Sequence, residues 1–451
     1  MLFNSVEFVI LFLPLTLLAF HLVPIRWRMA VLCLASLVFY GWADWIPLAF
    51  MVLSVVWAYG FAFLSQRWRS PWVLGAAVFF PLWVLFMFRY LDFTLTEVGA
   101  GPETRQTFYF FLNVVLPAGI SFFSFQIASY SYDVHDGKDR PERSLLKLTT
   151  YISAYPQLIA GPILRFDDLS SQLDRLGQVK DLGINWPKAI KFLSIGLFMK
   201  VAVSDLAAVM SERFDLATNP SSLDAFISVL LYSFRIYYDF WAYSVIAIGL
   251  GEMLGLRIPI NFNEPYIARS PRDFWRRWHL SLSTWLRDYV YLRLGGNRNY
   301  VRNIAIVFAA CGIWHGAGWN FLAWGLYHAF FVILYHYLRP WWDPLPKALQ
   351  IAATFLIVTL GWPLFYLDFG AWLQLLERIF LGFDYSMTAF GLRHLAFIAA
   401  VGGWTFLVRE ARWLYNAKPW PVVDWPVVHA VMLFGATLFF AWSRTFIYFR
   451  F

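Results

Sequence analysis

Charge-free or nearly charge-free apolar runs recur along almost the whole of this chain, near residues 8–23, 29–43, 46–64, 71–88, 349–367 and 425–443. An α-helix needs roughly 20 apolar residues to cross about 30 Å of hydrocarbon, and in lipid it must satisfy its own backbone polar groups. These runs are therefore predicted to be membrane helices. Further candidates near 108–132, 191–210, 224–250, 304–335 and 391–408 carry ionisable residues such as Lys200, Asp205, Arg235 and Asp239. Such groups are costly in lipid, so those helices are expected to face protein or water. Composition agrees: 60% of the 451 residues are hydrophobic and 14% charged, against roughly 45–50% and about 25% in soluble domains. No stretch is left for a separate soluble domain, and a single membrane domain over residues 1–451 is expected. Aromatic residues reach 21%, which suits interfacial belts and the walls of an internal cavity.

The first run follows Glu7 instead of a basic leader and shows no small-residue cleavage pattern, so it is expected to stay as the first span. Loop charge gives an orientation. Residues 24–29 hold Arg26 and Arg28 and residues 65–70 hold Arg67 and Arg69, with no acid in either, while the alternate loops carry Asp44 and then Asp92, Glu97 and Glu103. Because cytoplasmic loops collect Lys and Arg, the N-terminus is expected outside and the basic 135–147 loop inside. Residues 148–164 are short for a span and contain Pro156, Gly161 and Pro162, as a re-entrant segment buried in protein would. Cys33 and Cys311 lie in apolar runs and make no disulfide framework.

Between Arg257 and Arg302 there are nine arginines against Glu264, Asp273 and Asp288. Ser270-Pro271-Arg272-Asp273 reads as a helix start, with Ser270 capping and Pro271 in the first helical position. At helical spacing Phe274, Trp278, Leu282, Trp285, Leu286 and Tyr289 share one face, Arg272, Arg276, Ser283 and Arg287 the other, and His279 falls at the border. Two readings fit an amphipathic helix of this kind. It can lie among anionic lipid headgroups, or its arginines can form a cytoplasmic mouth for a polyanionic donor such as a coenzyme A thioester.

His315 stands in the otherwise uncharged run 309–319, with Gly312, Gly316 and Gly318 close by. Small neighbours would leave open space in which an imidazole could take a proton from an attacking hydroxyl. A histidine bonded to a backbone carbonyl between helices explains the same isolated ring. His328 and His336 lie in the same stretch, and His21 and His429 in other spans. Spacings of thirteen and eight do not put His315, His328 and His336 on one helical face, so no metal site is expected. A G-x-S-x-G elbow, a P-loop and a dinucleotide fingerprint are missing, and nothing suggests nucleic acid recognition.

These residues carry a resemblance. The chain is similar to the membrane-bound O-acyltransferase family, in the branch of the membrane subunits that O-acetylate bacterial alginate. The similarity rests on residues 120–126, 155–163 and 261–266, and most specifically on 273–289 and on Trp314-His315-Gly316-Ala317. It implies an all-α polytopic bundle of about 10–12 spans with re-entrant and interfacial amphipathic helices. It also implies His315 as the catalytic residue and His279 as a second catalytic residue near the donor tunnel. Arg276, Arg277, Trp278 and Trp314 are then candidates for holding acetyl-CoA, a substrate and not a resident cofactor. The acceptor would be an exopolysaccharide, alginate-like or cellulose-like, reached directly or through a periplasmic acetyltransferase, and the location a bacterial inner membrane. One departure stands out: after Asp239, the second acid expected at position 245 is Val245, which puts the acceptor or partner in doubt. A proton-coupled polysaccharide or lipid transporter would also bury His, Asp239 and Lys200, and a scaffold for an export complex is a third possibility.

Overall fold

In the structure, a computed structural model, residues 1–114, 117–159, 161–212, 214–408, 414–415, 425–438 and 444–447 are described. Among them every regular element is helical. Trp45–Arg67, Pro71–Arg89, Trp319–Trp342, Lys347–Phe365 and the run opening with Trp186–Met199 are long and apolar enough to cross a membrane. Glu7–Leu22, Leu392–Leu407 and Pro426–Leu438 are shorter apolar helices. The predicted 425–443 run is helical over Pro426–Leu438, and its last residues lie outside the described set.

Two compact units share the chain: Met1–Leu193 with Tyr243–Pro259, and Ser194–Ala242 with Ile260–Phe451. In the first, Trp45–Arg67 opens at Asp44, whose carboxylate accepts from the Ile46 amide at 2.9 Å, and Pro71–Arg89 opens at Ser70 with Pro71 in its first turn. On the former helix the buried stripe is Met51, Ser54, Val55, Ala58, Ala62 and Ser65, mostly small residues, while Leu53, Val56 and Phe63 are exposed. That inside-out distribution suits a bilayer, where small residues let helices approach and large apolar ones meet lipid. Residues 145–158 form two short buried helices, Leu145–Ser153 and Tyr155–Leu158.

The second unit is dense in aromatic rings. Tyr237, Tyr266, Trp278 and Trp362 are buried together, with the Tyr266 hydroxyl donating to the Ser233 carbonyl at 2.6 Å and accepting from Trp362 Nε1 at 3.1 Å. Here Ser222–Met253 contributes its first part, and Asp224 binds the loop at 388–390 through the amides of Thr388, Ala389 and Phe390.

Three predicted elements are corrected. The 304–335 run is not one span: it is two helices, Tyr300–His315 and Trp319–Trp342, parted where Gly316 and Gly318 are fully extended. The 270–289 helix is interrupted at His279, which adopts left-handed backbone at φ 45° between Pro271–Trp275 and Leu280–Leu286. Its two faces nevertheless sort as predicted, with Phe274, Trp278, Leu282, Trp285, Leu286 and Tyr289 buried and Arg272, Arg276 and Arg287 exposed. The 108–132 candidate is broken in two: Tyr109–Asn113 is a short helix, and the longer one starts at Ile120, after Gly119 at φ 76°, where a Cβ would collide with the Leu158 carbonyl.

Candidate active site

His315 is the last residue of its helix and is 1% exposed. Its ring lies 5.0 Å from Trp324, 5.3 Å from Phe365, 4.9 Å from Trp314 and 6.5 Å from His279, centroid to centroid. The glycines around it do not open space, which corrects the sequence expectation. A Cβ on Gly312 would strike the Phe321 carbonyl, one on Gly325 the Phe308 carbonyl and one on Gly316 the Phe321 ring. They let the Tyr300–His315 and Trp319–Trp342 backbones touch, and that contact seats Trp324 against His315.

His279 is fully buried, not at a border between faces. Its left-handed backbone is flanked by two main-chain hydrogen bonds to the 261–263 loop: the Asn263 amide donates to the Arg277 carbonyl at 2.9 Å and the Leu280 amide to the Asn261 carbonyl at 2.9 Å. This places Asn261 Oδ1 at 3.3 Å from His279 Nδ1. Asn261 Oδ1 also accepts from the Ser281 amide at 3.1 Å, so it is an acceptor, and Nδ1 of His279 carries the hydrogen. Nε2 is then the nitrogen with the lone pair. Burial pushes the His279 pKa down to about 3, so the ring is neutral at physiological pH.

The predicted donor-binding residues separate. A cavity of about 530 Å³ is bordered by Arg272, Arg276 and Arg287 together with Tyr291 and Tyr300, and it runs in to Trp275, Phe308 and Cys311. Arg276 is exposed and has no ion-pair partner among the described residues. Arg277 points elsewhere, its Nε bound to Asp273 at 2.9 Å and its Nη1 to the Asn263 carbonyl at 3.3 Å. Trp278 is a core residue against Phe274, Phe262 and Trp362. Trp314 lies 5.6 Å from His279 and adjoins His315, so it belongs to the histidine pair. Ile304, Val307, Phe308 and Cys311 line the cavity from one face of the His315 helix. His315 continues that face one turn further on, about 6 Å along the axis.

The other histidines are spread out. His328 is caged by Trp275, Trp324 and Phe274 at 5.1, 4.9 and 6.2 Å. His336 is exposed and stacks on Tyr300 at 4.3 Å. His429 Nδ1 meets Ser194 Oγ at 2.8 Å and His21 Nε2 meets the Met253 carbonyl at 3.0 Å. Asn261, Trp324 and Phe365 were not singled out by sequence reasoning, although Asn261 opens one of the stretches that carried the resemblance. The buried Lys200, Asp205 and Asp239 pair with one another, which removes the need for a transport path to explain them.

Comparison with known proteins gives this geometry its context. The profile of the MBOAT, membrane-bound O-acyltransferase, family matches residues 83–352. The chain is 37% identical to the probable alginate O-acetylase AlgI of Azotobacter vinelandii over 81% of its own length and 75% of that protein's. It is 33% identical to the peptidoglycan O-acetyltransferase of Helicobacter pylori over 81% and 77%, and 26% identical to the teichoic acid D-alanyltransferase of Bacillus subtilis over 70% and 83%. An acyltransferase reading thereby displaces the transporter and scaffold readings: this chain belongs to the membrane-bound O-acyltransferase family.

Proposed function

We propose that the protein is an O-acetyltransferase of a bacterial inner membrane, using acetyl-CoA from the cytoplasm to acetylate the hydroxyls of an exopolysaccharide, directly or through a periplasmic acetyltransferase. The whole chain then works as one membrane domain. The observation that carries this reading is the 530 Å³ cavity: three exposed arginines border it, and the helix face along its wall leads on to His315. Guanidinium groups match phosphate geometry, so Arg272 and Arg276 suit the phosphates of a coenzyme A thioester whose acyl end lies toward the histidines, while Arg287, held by Asp288 at 2.6 and 3.1 Å, adds positive charge at the rim.

In the proposed reaction His315 takes the proton of the acceptor hydroxyl as its oxygen attacks the thioester carbonyl carbon. A C–O bond forms, the C–S bond breaks, and the leaving sulfur recovers the proton from the imidazolium. His279, with a pKa near 3, is a poor base at neutral pH. Its part is to present a neutral ring of fixed tautomer, held by Asn261, beside the reacting atoms. Trp314, Trp324 and Phe365 exclude water around the pair.

The test is acetyl-CoA consumption by purified protein supplied with acceptor. Arg276→Ala is expected to raise the KM for acetyl-CoA by about tenfold or more, as loss of a charge-assisted contact would, and to leave the acceptor KM unchanged. An unchanged donor KM in Arg272→Ala, Arg276→Ala and Arg287→Ala would make these arginines lipid contacts.

A further inference from the structure

Several buried ionisable residues are left unused by this chemistry, and three of them cluster. Lys200, Asp205 and Asp239 are 1%, 4% and 2% exposed. The Lys200 ammonium pairs with Asp205 and lies 2.9 Å from Asp239 Oδ1. Residues five apart point about 140° away from each other on a regular α-helix. Lys200–Asp205 is instead a π-helical stretch, whose wider turn brings its two ends together. Each carboxylate gives its other oxygen to a main-chain amide: Asp205 Oδ2 accepts from Arg444 at 3.2 Å, and Asp239 Oδ2 from Ile447 at 2.5 Å. The side chain of Arg444 pairs with Glu212. The segment 444–447 is thus gripped at both ends. Between the two anchored amides sits Phe446, fully buried, its ring 5.7 Å from Phe240, and Phe240 stands edge-on against His279 at 4.6 Å.

We infer that Lys200, Asp205 and Asp239 form a buried clamp that positions His279, by fixing the register of 444–447 so that Phe446 seats Phe240 against the imidazole. Stability alone is a weak reason to bury such a triad, because desolvation of the charges rivals their attraction. Two carboxylates aimed at two particular amides do, however, set a register that apolar side chains cannot specify. The π-helical turn, which costs regular hydrogen bonding, is the feature that lets one ammonium hold both acids. The clamp residues touch no reacting atom, so their effect is on orientation. This inference rests on the role given to His279 above.

The experiment compares acetyl transfer by Phe446→Leu, Asp239→Asn and their double variant, with Lys200→Arg beside Lys200→Met, all at equal membrane abundance. Misplacement by about 1 Å can cost about 10²-fold in rate, so each single variant should lose about tenfold or more in kcat while the KM for acetyl-CoA moves less than about twofold. The double variant should be no slower than the slower single, because both act through His279, and Lys200→Arg should keep more activity than Lys200→Met. Should Asp239→Asn not accumulate, Phe446→Leu, which removes no charge, still decides. A normal kcat in Phe446→Leu, or losses that multiply in the double variant, overturns the clamp while leaving the proposed chemistry standing. Full activity in His279→Ala removes the role of His279 itself, and the clamp with it.

Discussion

Two imidazoles 6.5 Å apart in one buried site have different work available to them. Burial drives the His279 pKa from its ordinary 6.5 to about 3. In the unfolded chain this ring takes its proton near pH 6.5, and in the folded chain only near pH 3. Acidification through that window therefore favours the unfolded state. The melting temperature in detergent should fall on going from pH 7 to pH 5, and fall less in His279→Asn. An identical pH dependence in the variant would mean that the ring is not held neutral. His279 and His315 were legible in the sequence because each sits in a compact stretch of distinctive neighbours. Asn261 was not, because its position opposite His279 depends on the pairing of 261–263 with 277–280, which only the folded chain creates. Arg276 and Arg277 are adjacent in sequence, and only the turn after Trp275 sends one to the cavity and the other to Asp273.

At the scale of elements, the site depends on where helices stop. Tyr300–His315 ends at the His315 ring, and the extended Gly316 and Gly318 lead the chain into Trp319–Trp342. Hydropathy averages over such a break, since both helices and the turn are apolar, and so 304–335 reads as one run. The glycines mislead for a related reason. From sequence they look like empty space, whereas Gly312 and Gly325 are filled by facing backbone carbonyls. Overpacking costs about 1–3 kcal/mol, so Gly312→Ala and Gly325→Ala should each lower thermal stability by that order and slow transfer, because the displaced helix carries Trp324 away from His315. Thermal melts and turnover on the same preparations check this; variants as stable and as fast as the parent would mean that the helices do not touch there. His279 is the counterpart in the basic segment, where helical periodicity sorted buried from exposed residues correctly but could not reveal a left-handed residue in mid-run.

Over the whole molecule, the long unbroken apolar runs settled the class of fold, because in lipid a run of that length satisfies its backbone as a helix, whereas a barrel strand alternates apolar and polar residues. Loop charge supports an orientation that can be examined within the first unit. Tyr59 donates to the Arg143 carbonyl at 2.8 Å, and a Cβ on Gly137 would meet the Arg69 guanidinium at 2.7 Å, so 65–70 and 135–147 lie at one end. Cysteines placed in both loops should resist an impermeant reagent added outside intact cells, and labelling of either reverses the orientation. The central claim is that His315 moves the proton of the acceptor hydroxyl. The direct measurement is acetyl transfer by His315→Ala and His336→Ala membranes at equal protein abundance. A general base contributes about 10²–10⁴-fold, so His315→Ala should lose at least about a hundredfold while His336→Ala, whose ring is exposed against Tyr300, stays near the parent rate. Near-normal transfer by His315→Ala would contradict the account.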